Sequence, residues 1–200
     1  MSNRILVFTF FLLSFTTAFS QPADTSFVSN FDAVLEERFI GGPDAFLRHF
    51  FGIVKYPADA RTHCRSGQLL VKVMVSPQGA VQAVTFLNML GYGIEEEVTS
   101  VLMATAGKWN TATESADLLF SIGFELDGIA KINGDMKINA YGSGAHGGGC
   151  ESTEELEAQM DKAIKKGKKD KAMAYCEELL RRNPFSVEYA NAYNELKDSK

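Results

Sequence analysis

Apolar and polar residues alternate with period two in three stretches of the chain. Leu69, Val71, Val73 and Val75 alternate with Leu70, Lys72, Met74 and Ser76, the pattern of a half-buried strand. Ser76-Pro77-Gln78-Gly79 has proline and glycine where a tight turn needs them, so residues 80–87 read as the returning strand of a hairpin. Leu118, Phe120, Ile122, Phe124 and Leu126 alternate with Asp117, Leu119, Ser121, Gly123 and Glu125, one face apolar and the other mostly polar. Between and around these runs the period changes to that of a helix. Phe46, Leu47, Phe50 and Phe51 share one helical face, and Ile94, Val98, Val101 and Leu102 share another. Glu95, Glu96 and Glu97 occupy the first turn of the second helix, where the dipole favours carboxylates, and read as a solvated helix start.

Glycine and proline punctuate this pattern. Gly41-Gly42-Pro43 breaks the chain, with Pro43 placed to open a helix. Pro57 opens a short helix over 57–64, and 32–39 is expected to form a helical turn. Asn133-Gly134 lies between two short alternating runs and predicts a β-hairpin. Residues 142–149 contain five glycines and read as a linker. Beyond it, Ser152-Thr153-Glu154-Glu155 matches a capping box. Leu156, Met160, Ala163 and Ile164 form one helical stripe, Ala172, Tyr175, Cys176, Leu179 and Leu180 a second, and 187–196 a third helix.

The first twenty residues are different. Arg4 precedes an almost unbroken apolar run over 5–15, and Ala18 and Ser20 place small residues at −3 and −1 before Gln21. This is a signal-peptide pattern, so export and cleavage near Ser20-Gln21 are expected, giving a periplasmic or secreted protein without membrane insertion after cleavage. The rival is an uncleaved anchor. The expected organisation is a signal peptide over 1–20, a leader over 21–40, an α+β domain over 41–127, a β-hairpin extension over 128–141, a Gly-rich linker over 142–150 and helices over 151–200.

The 200 residues carry 25 acidic and 20 basic side chains, a net charge of −5. That balance argues against nucleic acid or anionic lipid as the main partner. Of the three cysteines, Cys64 and Cys150 could meet near one end of the sheet as a disulfide, while Cys176 falls on an apolar helical stripe. His63-Cys64 with His146 and Cys150 offers a zinc-type donor set, but the pairs lack finger spacing, so no metal and no cofactor is expected. Gly142-Ser143-Gly144-Ala145-His146-Gly147 formally matches a dinucleotide fingerprint, yet no helix follows it directly. No nucleophile elbow, metalloprotease motif or phosphate loop occurs, and no enzyme is expected.

The order Gly41-Gly42, Tyr56-Pro57-Ala58 with Ala60, Gly67, Pro77 and Gly79, Val81, Glu97-Val98 and Trp109 resembles the TonB C-terminal domain family. The resemblance implies two helices packed on a three-stranded antiparallel sheet, here with an extra β-hairpin and a small helical tail. It also implies a non-enzymatic, protein-binding role, in which an extended peptide adds as a strand to the sheet edge. Carried onto this chain, the accepting edge is 117–126, with Asp117, Leu119, Ser121, Gly123 and Glu125 on it. Ile53, Val54, Lys55 and Tyr56 would lie beside the docked peptide. The implied partner is a protein or extended peptide, such as a TonB-dependent receptor, or a second copy of the chain. Only about 20 residues separate the apolar segment from Gly41, roughly 70 Å fully extended. A released module is therefore expected, with two alternatives: a short membrane-anchored energy transducer, or a thiol- or metal-binding periplasmic protein. The tail resembles one tetratricopeptide repeat, with Ala172 and Pro184 at the repeat's spacing and its early aromatic and glycine positions missing.

Overall fold

In the computed structural model, residues 28–127, 129, 138–142 and 150–199 are described. The expected signal peptide, the Asn133-Gly134 turn and most of the Gly-rich linker lie outside them. The element order is α1 (Phe31–Arg38), α2 (Gly42–Ile53), α3 (Ala58–Thr62), β1 (Gly67–Val75), β2 (Val81–Phe86), α4 (Ile94–Met103), β3 (Ala116–Leu126), β4 (Ile138–Gly142), α5 (Thr153–Lys165), α6 (Lys169–Arg182) and α7 (Val187–Asp198). The class is α+β. The four strands form one sheet in the order β2-β1-β3-β4.

Strand alternation decides which face is buried. β1 pairs antiparallel with both β2 and β3, so Val71 lies opposite Phe86 on one side and Phe120 on the other. Leu69, Val71, Val73 and Val75 share the core face with Leu118, Phe120, Ile122 and Phe124. The helices α2 and α4 cover that face with Phe46, Phe50, Ile94, Val98, Val101 and Leu102. Phe46 contacts Phe120 and Phe31 edge-on at 6.0 and 5.5 Å. Trp109 closes one end of the core, 4% exposed, with its indole N–H donating to Thr105 Oγ1 at 2.8 Å.

Four expectations need correction. Residues 31–39 are part of the packed fold, because Phe31, Leu35 and Phe39 recur every four residues and all three are buried. Arg38 is buried as well, and its guanidinium donates to the carbonyls of Ser76, Asn110 and Glu114, tying α1 to the two loops at that end of the sheet. On α2, Phe51 is 47% exposed, since the helix is wide enough to bury only Phe46 and Phe50 fully. Glu95 is buried, because its carboxylate accepts from the backbone N–H groups of Leu90 and Gly91 and so closes the turn before α4. Finally, the sheet has four strands, and the run at 138–142 lies parallel to β3, while the turn of the hairpin expected over 128–141 falls outside the described residues. That orientation puts Ile138 and Ala140 beside Ile122 and Phe124 on the core face, where both are buried.

The C-terminal helices have their own small core of Leu156, Met160, Cys176, Leu179 and Tyr189. α5 starts with the expected capping box between Ser152 and Glu155. α6 docks on the start of β1. A Cβ at Gly67 would lie 2.5 Å from the Arg181 carbonyl oxygen, so only glycine allows this approach. Arg65 and Glu178 pair beside it at 2.9 Å.

Candidate strand-addition interface

A sheet of four open strands has two edges whose unpaired N–H and C=O groups can accept another strand. β3 was the expected accepting edge, and the five residues assigned to it do line up along it. On both sides of Ser121, however, this chain already occupies the outward side of the strand. Asn30 closes the first part: its side-chain amide donates to Asp117 O at 2.7 Å, and its Oδ1 accepts from Leu119 N at 2.7 Å. Leu119 O accepts from Asn30 N at 3.2 Å and from the Ser29 hydroxyl at 3.0 Å. β4 closes the second part, with Gly123 opposite Asn139 and Glu125 opposite Tyr141. Ser121 sits where the two covers meet. The Asp117 side chain pairs with Lys72 at 2.7 Å across the face away from the core, and Glu125 is buried there.

Of the segment expected beside a docked peptide, Tyr56 lies against the end of β4. Gly142 ends β4 against Tyr56: a Cβ there would fall 2.7 Å from the tyrosine ring and 3.1 Å from Arg61 Cδ. Tyr56 packs edge-on to Phe124 at 5.3 Å and donates its hydroxyl to Arg65 O. Burial pushes the Tyr56 phenol well above its ordinary range, against the pull of Arg182 and Arg61. Lys55 N donates to Glu97 Oε1 at 2.7 Å, Val54 packs on the core, and Ile53 is 37% exposed. Cys64 and Cys150 are joined as a disulfide with Cα atoms 5.3 Å apart, anchoring the chain eight residues after β4 ends. Cys176 is a buried free thiol. His63 stacks on Tyr92 at 4.2 Å, with Arg65 over the same ring at 4.8 Å, and no group of three potential metal ligands occurs among the described residues.

β2 is the other edge. Leu87 N donates to Leu70 O at 3.0 Å, so antiparallel alternation turns the groups of Thr85 and Ala83 toward β1 and those of Val84 and Phe86 outward. Among the described residues nothing pairs with that outward side. Leu87 and Met89, just past its end, are 53% and 60% exposed. The β1–β2 register shifts between Met74 and Val75, confining irregularity to the opposite end. Sequence reasoning missed β2 as the free edge. The signal was Asn30, a side chain with both donor and acceptor just before an apolar helix, and the apolar pair Ile138 and Ala140.

No family model matches the chain, and no curated protein matches it. One solved structure is similar, the solution structure of the Helicobacter pylori TonB C-terminal domain, at 14% identity and a TM-score of 0.34, covering 41% of this chain and 90% of that one. No helix among the described residues is long and apolar enough to cross a membrane.

Proposed function

We propose that this chain is an exported, non-enzymatic protein-binding module that takes an extended segment of its partner by strand addition at β2. The carrying observation is the outward backbone of Val84 and Phe86, without a partner among the described residues on a strand followed by the exposed Leu87 and Met89. The sequence resemblance to TonB C-terminal domains suggests the partner class, an extended segment of an outer-membrane receptor or another envelope protein. It moves here from the β3 edge to the β2 edge, because the chain fills the former itself.

Proline substitution tests the edge. Val84→Pro deletes an outward N–H and leaves the ladder to β1 in place, whereas Ser121→Pro deletes one on the closed side. With TonB-box peptides as probes, Val84→Pro is expected to abolish binding and Ser121→Pro to leave it. Amide exchange should show new protection at Val84 and Phe86 in the complex. The reverse pattern of the two variants would return the binding edge to β3. Failure of the wild-type protein to bind any such segment would overturn the partner class.

A further inference from the structure

The turn between α5 and α6 is the most concentrated charge on the molecule. Residues 162–171 hold six lysines and one aspartate, a net charge of +5, so the other 190 residues carry −10 to reach the total of −5. Lys162, Lys166, Lys168 and Lys171 line a surface pocket of about 360 Å³ with Gln159, Ala163 and Tyr175. None of these four, nor Lys165, lies within ion-pairing distance of a carboxylate among the described residues. Lys171 instead sits 5.6 Å over the Tyr175 ring, whose hydroxyl donates to Gln159.

Stability does not account for this arrangement. Lys162 and Lys165 suit the negative end of α5, but Lys168, Lys169 and Lys171 crowd the positive end of α6, where cations are disfavoured. Mutual repulsion among the ammonium groups adds to that cost. The other end of α6 docks on β1, so the lysine turn stands roughly 18 Å away along the helix, with Glu195 of α7 as the carboxylate that shares a pocket with Gly167 and Lys169.

We infer that this pocket binds a phosphate-bearing ligand, a phosphoester or polyphosphate, either free or as a lipid headgroup. Four lysines lining one concavity match a compact, multiply charged anion, to which lysine contributes point charges rather than planar forks. An extended acidic chain would need a longer row. Here the row is interrupted: Lys165 is outside the pocket lining, and Lys169 donates to the carbonyls of Lys197 and Ser199.

The test uses the full chain and inorganic tripolyphosphate, titrated by calorimetry. The wild type is expected to bind one equivalent, more weakly as salt rises. Lys166→Gln and Lys168→Gln should each weaken binding by roughly tenfold, the scale of one charge-assisted contact. Lys165→Gln removes the same charge outside the pocket and should change affinity less than about twofold. Equal losses in Lys165→Gln and Lys166→Gln would make the effect diffuse electrostatics and overturn the site. So would absence of binding in the wild type. Sedimentation with phosphatidylcholine vesicles, with and without phosphatidic acid, then separates the sources: co-sedimentation only with phosphatidic acid, lost in Lys166→Gln, assigns a headgroup, and none assigns a free phosphoester. Salt-sensitive dimerisation lost in Lys166→Gln, without tripolyphosphate binding, would assign the turn to a second copy and reject the phosphate site.

Discussion

Along β3 most of the outward backbone meets part of the same chain, Ser29-Asn30 over 117–119 and β4 over 122–126, while along β2 the outward groups of Val84 and Phe86 meet none among the described residues. The two edges belong to one sheet and flank the same central strand, so strand propensity does not separate them. What separates them is the supply of a cover. The closed edge lies beside the deepest part of the core, where Ile138 and Ala140 add apolar surface that an open edge would leave wet. The open edge is six residues long, half-buried, and irregular at one end, which limits uncontrolled pairing without abolishing it.

The largest expected effect comes from breaking the cover. Ile138 is fully buried against Ile122, so Ile138→Asp puts a carboxylate where nothing can solvate it. A loss of about 4 kcal/mol in urea unfolding is expected, or release of β4 with the charge carried into water. In the second case β3 becomes a second open edge, and concentration-dependent association should appear in sedimentation. A variant as stable as the wild type and no more associated would mean that β4 adds nothing to the closed edge.

Next comes the tie that follows β4. The Cys64–Cys150 bridge closes a separation of 86 residues, and loop entropy alone gives such a bridge about 4–5 kcal/mol, with measured values usually lower. Cys64→Ser is expected to lose about 3 kcal/mol. Amide exchange should accelerate at 138–142 and on α5 and remain unchanged along β2. Uniform acceleration would show the bridge stabilising the whole fold instead of its closed edge.

The elements on either side of this contrast were legible in the sequence, and the contrast itself was not, for a physical reason. The alternation in 69–75 and 118–126, the turn at Ser76 to Gly79 and the helical faces at 46–50 and 94–102 are local signals, and all appear as elements. The helical turn at 32–39 was expected, but its burial was hard to see because the charged Arg38 sits on its inner face, and Arg38 is buried only because three distant carbonyls receive it. The direction of β4 was equally hidden. A short apolar pair looks the same in parallel and antiparallel pairing, and only the position of the β3 core face distinguishes them. The candidate edge failed to transfer for the same reason: edge strands are defined by what lies beside them, and Asn30 is 87 residues away from Asp117.

A smaller effect should follow from the first part of the cover. Asn30 uses both ends of its amide on β3. Asn30→Ala leaves Leu119 N without its partner and should cost about 1–2 kcal/mol, with faster exchange at Leu119. Asn30→Asp keeps the acceptor and loses the donor, so it should fall between the two. An aspartate variant as unstable as alanine would place the value of this clamp on the Asp117 bond.

The smallest effect expected is on the open side, and its smallness is what makes it informative. Val84 and Thr85 are neighbours on β2 with opposite backbone directions. Thr85 N–H faces β1, and Thr85→Pro removes a ladder bond in addition to straining the strand, at a cost of about 3 kcal/mol. Val84 N–H faces outward, so Val84→Pro loses only side-chain packing and should cost about 1 kcal/mol. The gap between the two midpoints in urea therefore measures how free the edge is. If the two prolines cost the same, Val84 N–H is already paired in the intact protein, and β2 is as closed as β3.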